Sequence, residues 1–180
     1  MVTIFESDHN WTGNPSPESV RFSYTFHPQH GFMSFYDYAI DIMSSFELVQ
    51  SLSQRQDAGF ILKESGLATL LIFPEAFDVI ADFYFNETPA DISDPAWAHV
   101  AEGVITFNSG KMHVDGGSEV EVGILLDPGN YAFRVYFGKF VNPIVAPHQN
   151  DWYQKLAICF HKSEAEETNE IKVLKDGPLQ

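Results

Sequence analysis

Four groups of side chains have types and spacings that could do chemistry. His27 and His30 stand three apart around Pro28, and a carboxylate such as Asp37 or Asp41 would complete a metal-binding set. Cys159 and His161 are i and i+2, so on a strand they share a face, and a Cys–His pair can generate a thiolate nucleophile. His99 and Glu102 would form a general acid–base pair on one side of a helical turn, whereas on a strand they point apart. Arg134, set among aromatic residues, could anchor an anionic ligand.

Each group also has a plainer reading, and the surroundings favour it. The two histidines lie in His27-Pro28-Gln29-His30-Gly31, a run that reads as an exposed turn, so they are weak metal candidates only. No glycine motif for an oxyanion hole accompanies Cys159, which reads as a buried structural thiol. The His99 and Glu102 element reads as a hydrogen-bonded sandwich edge. Arg134 is expected to pair with Glu119 or Glu121 across a hairpin, a contact worth about 0.2–1 kcal/mol. Phosphate-loop, dinucleotide, nucleophile-elbow, His-Glu-x-x-His and paired Cys-x-x-Cys patterns are all missing, so no cofactor and no catalytic residue is assigned.

The elements that must position these groups read as strands. Leu126-Asp127-Pro128-Gly129-Asn130 is a turn, and the run from Tyr131 to Gly138 alternates strictly. Tyr131, Phe133, Val135 and Phe137 share one face; Ala132, Arg134 and Tyr136 share the other, as in a half-buried strand. Further strands are expected near 2–5, at 20–26 and 32–38 as a hairpin, and at 59–62 and 67–73 as a second hairpin. One more is expected at 77–85, then a meander through 96–107, 111–114, 119–126 and 130–137, and a last strand at 152–161. The segment 42–49 is a strand or a short helix, and 141–150 is a loop. Sixteen Phe and seven Tyr favour pleated packing. The reading is an all-β, antiparallel β-sandwich, jelly-roll-like or immunoglobulin-like, over residues 1–162, with an acidic flexible tail over 163–180.

The chain has 180 residues, 44% of them hydrophobic, enough for one domain with a core. Its net charge of −15 repels nucleic-acid phosphates and anionic membranes and attracts basic partners. From Glu64 to Gly110 there is no Lys or Arg. A single cysteine excludes an internal disulfide, and no secretory signal or membrane-spanning run is seen, so a cytoplasmic location is expected.

The C-terminal half resembles an uncharacterised bacterial all-β family. The matching residues are Trp97-Ala98-His99-Val100-Ala101-Glu102, Ser109-Gly110, the run from Pro128 to Gly138, and Asp151-Trp152-Tyr153. They correspond to that family's Trp-x-His-Val-x-Glu, Ser-Gly, Pro-Gly-x-Tyr-x-x-Arg-Val-Tyr and Asp-x-Tyr elements. Through Ser23-Tyr24 and the Pro-Gly-Asn-Tyr strand the layout is more distantly similar to the competence protein J family, whose members inhibit a DNA-entry nuclease. The resemblance implies a non-enzymatic, protein-binding sandwich: an acidic inhibitor or immunity-like protein of a basic partner such as a nuclease. Asp91, Asp94, Glu102 and Asp127 are the expected partner-binding carboxylates. The alternative is a sandwich that binds a small ligand or metal and uses His27, His30 and a carboxylate. A third reading is self-assembly through exposed edge strands.

Overall fold

Alternating burial runs through the computed structural model, which describes residues 3–6, 20–26, 31–40, 59–72, 78–86, 91–116, 121–140 and 153–179. The strands are β1 Thr3–Glu6, β2 Val20–Phe26, β3 Phe32–Asp37, β4 Ile61–Glu64, β5 Leu67–Leu71 and β6 Asp78–Phe85. They continue with β7 Trp97–Phe107, β8 Lys111–Asp115, β9 Glu121–Leu125, β10 Gly129–Gly138, β11 Tyr153–Lys162 and β12 Lys172–Lys175. The expected turn at His27 and His30, the segment 42–49 and the loop 141–150 lie outside the described residues.

Two six-stranded sheets form an all-β sandwich. Sheet I has the order β1-β9-β8-β3-β5-β4, and sheet II the order β12-β7-β10-β11-β6-β2. All pairs are antiparallel except β11 with β6. Along much of β6, β7 and β10 alternate residues enter the core between the sheets. There Phe35 of sheet I meets Phe133 and Phe160 of sheet II edge-on, at centroid distances of 5.3 and 5.2 Å. Phe85 stacks on Phe160 at 5.2 Å. Such aromatic contacts add to plain area burial and explain the Phe-rich composition. Gly103 sits opposite Phe133, and a Cβ there would come within 2.9 Å of that ring.

The β4–β5 hairpin forms as expected, and β5 is buried along its whole length. Two expected pairings do not form. β2 pairs with β6, while β3 pairs with β5 and β8, so the two expected hairpin arms belong to different sheets. The expected meander is also divided. β7 pairs with β10 and β12, and β8 pairs with β3 and β9.

The turn Asn108-Ser109-Gly110 is therefore a corner from sheet II to sheet I. Buried Asp37 ties it down by accepting the Ser109 amide at 3.0 Å and the Ser109 hydroxyl. Gly110 has φ of 67°, and a Cβ would stand 2.8 Å from the Leu126 carbonyl oxygen. A side chain there would be strained twice over.

The expected acidic tail outside the sandwich instead supplies part of it. After β11 the Ser163 amide donates to the Asn130 carbonyl at 2.9 Å. Glu167 then reaches the β4–β5 turn, β12 extends sheet II beyond β7, and Leu179 enters the core at 8% exposure. Apolar residues interleaved with the charges, namely Ile171, Leu174 and Leu179, explain why a polar average misled. Among the described residues no helix is long and apolar enough to cross a membrane.

Candidate functional site

The four expected partner-binding carboxylates do not meet. Asp91 and Asp94 lie exposed between β6 and β7, and each caps its own turn. Asp91 accepts the Ser93 amide at 2.9 Å, which holds its carboxyl below the usual range, and Asp94 accepts the Ala96 amide at 2.8 Å. Lys175 of β12 braces the same loop through the Ile92 and Asp94 carbonyls. Asp127 is exposed at the far end of β7 and β10, where its carbonyl accepts the Tyr131 hydroxyl at 2.7 Å. At about 3.3 Å per residue, an 11-residue strand puts roughly 35 Å between the two ends. Glu102 sits midway, on the outer face of sheet II.

Glu102 is also the least free of the four. Its Oε2 accepts Arg134 Nη2 at 2.6 Å and Nε at 3.1 Å, and its Oε1 lies 3.4 Å from Lys172 Nζ. Partial burial pushes its carboxyl up, but the Arg134 contact and then Lys172 outweigh it and leave the group below its ordinary value. The expected pairing of Arg134 with Glu119 or Glu121 is thus replaced. Glu121 is on β9 in the other sheet, 119 lies outside the described residues, and β7 supplies the acid directly opposite Arg134.

Around Arg134 the outer face of sheet II encloses a cavity of about 110 Å³, lined by Glu102, Ala132, Phe133, Arg134, Tyr136, Cys159 and His161. Strand register builds it: Arg134 lies between Glu102 on β7 and Cys159 on β11, and Ala132 lies beside His161. Tyr136 is fully buried beneath Trp97, whose ring lies 5.6 Å away. Burial pushes the Cys159 thiol up to about 12, only slightly opposed by Arg134. The thiolate needed for nucleophilic attack is therefore absent near neutral pH. Cys159 and His161 share a face as expected, without the chemistry of a nucleophilic pair.

His99 and Glu102 point to opposite sides of β7, as strand geometry requires. His99 stands 3.3 Å from Asp176 and packs on Phe137 at 5.5 Å. It lines a second cavity of about 290 Å³ with Gly59, Ile61, Ile171 and Val173. The weak metal candidates His27 and His30 lie outside the described residues, among which no group of three His, Cys, Asp or Glu could hold a metal ion.

Sequence reading missed Tyr136 as part of a site and missed Glu167 altogether. Tyr136 could have been found as the outward residue two places from Arg134. Glu167 left no local signal, because its partners Lys63 and Gly66 are about a hundred positions away.

No protein-family model matches the chain, and no curated protein matches it. Among solved structures it is similar to ComJ of Bacillus subtilis, described as an inhibitor of the DNA degrading activity of NucA. The TM-score is 0.55 at 6% identity, with 89% of this chain and 99% of that chain covered. A second structure, named for crocagin biosynthetic gene J, aligns with a TM-score of 0.47 at 11% identity, covering 77% of this chain and 97% of that one. Over most of its length the chain has a ComJ-like fold.

Proposed function

We propose that the protein works by binding another protein, as an acidic inhibitor of a basic partner such as a nuclease. The observation that carries this reading is the fold shared with a nuclease inhibitor across nearly the whole of both chains. The net charge of −15 supports it, because opposite charge speeds encounter and rim carboxylates select the partner. Asp91 and Asp94 at one end and Asp127 at the other are the exposed acids for that task. Glu102 contributes least, since Arg134 and Lys172 already answer its charge. The proposed setting is cytoplasmic, where a lone thiol stays reduced.

The test is an affinity capture from native lysate at low and then moderate salt, followed by a nuclease assay on the captured protein. A basic nuclease retained at low salt, released as salt rises, and inhibited by the purified chain is expected. Alanine at both Asp91 and Asp94 should then slow association and flatten its salt dependence. No basic protein retained, or a captured nuclease left fully active, overturns the reading.

A further inference from the structure

We propose that the Arg134 cavity on the outer face of sheet II is a receptor for a carboxylate monoanion. Glu102 occupies one side of the guanidinium, and both of its bonds converge on the single oxygen Oε2. Arg134 lines the cavity, and its guanidinium carries N–H donors beyond the two that Glu102 takes. Arginine's planar fork matches a carboxylate in two parallel bonds.

Tyr136 provides the second, independent sign. Its side chain is fully buried, and among the described residues its hydroxyl has no hydrogen-bond partner. It lies near enough to the Arg134 guanidinium to favour that group's charge. A buried hydroxyl is ordinarily paired, and a carboxylate oxygen held by Arg134 would accept its proton.

Charge and shape narrow the ligand. Arg134 and Lys172 against Glu102 leave one net positive charge at the site. A monoanion is matched there, whereas a phosphate dianion would meet the Glu102 carboxylate with charge to spare. The Ala132 and Cys159 side chains suit a short aliphatic stem, and about 110 Å³ admits only a small group. The carboxylate could come from a free small acid or from a peptide C-terminus. This inference does not rest on the inhibitor reading, and nuclease inhibition by an Arg134 variant bears on neither.

The experiment is an amide NMR titration of the full chain at constant ionic strength. The probes are propionate, inorganic phosphate, and a Gly-Gly-Ala peptide as free acid and as amide. Saturable shifts confined to the amides of 132–136 and 159–161 are expected at millimolar propionate or peptide acid. Saturation by propionate assigns a small acid; saturation by the peptide acid alone, and not by its amide, assigns a chain terminus. Tyr136→Phe should keep the melting temperature and weaken binding at least threefold, and Arg134→Gln should abolish it. Should Arg134→Gln fail to fold, Tyr136→Phe decides. The proposal is overturned by no saturable shift with any carboxylate, by tighter binding of phosphate, or by unchanged affinity in Tyr136→Phe.

Discussion

The side wall of the sandwich and the outer face of sheet II each hold a cation against a glutamate, with opposite consequences. On the side wall Lys63 Nζ lies 2.7 Å from Glu167, with side-chain exposures of 0% and 12%. Glu167 also accepts the Gly66 amide at 2.8 Å, so one carboxylate closes both the lysine and the β4–β5 turn. On the outer face Arg134 and Glu102 are 33% and 28% exposed and border a cavity. The sealed pair is architecture: removing one partner strands a charge away from water. The open pair is screened, contributes little to stability, and leaves Arg134 with N–H donors that Glu102 does not take. Burial, not the identity of the two charges, separates the roles.

The broadest way to break this comparison is to delete residues 163–180. Loss of Glu167, β12 and Leu179 together should exceed about 5 kcal/mol, the sum of a broken buried pair and a lost core side chain. A denaturant midpoint equal to that of the full chain would reduce the side wall to ornament. Next, Glu167→Ala should cost about 3 kcal/mol in the same measurement. Adding Lys63→Met should recover most of the loss, because an apolar side chain needs no partner at that buried site.

Acid should probe the same pair. Burial alone would raise the Glu167 carboxyl, but the bonds from Lys63 and Gly66 outweigh it and hold the group below 4.5. The unfolded chain therefore binds this proton first. The stabilisation is complete above about pH 4.5 and is lost as pH falls through the lowered folded value. Melting curves from pH 6 to 3 should fall with acid, and Glu167→Gln should flatten that dependence. The smallest effect is expected on the open face, where Glu102→Gln should cost no more than about 1 kcal/mol. A larger loss there would erase the distinction between the two pairs.

The candidate site was half legible in sequence. The outward set Ala132, Arg134 and Tyr136 follows from a period of 2, and it is the floor of the cavity. The acid opposite Arg134 was not legible. A neighbour in sequence, Glu121, and a distant residue, Glu102, are equally acceptable partners until the pairing of strands is known. The carboxylates Asp91, Asp94 and Asp127 are exposed, but their separation along β7 was invisible without register.

What the sequence determined by itself is local: strand positions, the inward face of each strand, and an aromatic core, because alternation and turn residues act over a few positions. What only the tertiary structure decided is which strands pair. Asn108-Ser109-Gly110 carries the same turn chemistry whether it closes a hairpin or turns a corner between sheets. The choice fell to contacts such as Asp37 with Ser109 and Phe35 with Phe133, which join residues far apart in the chain. The segment after Ser163 is the plainest case. Its charges alone describe a solvated tail, and it becomes structure because β7 offers an open edge and Lys63 a buried charge to be met.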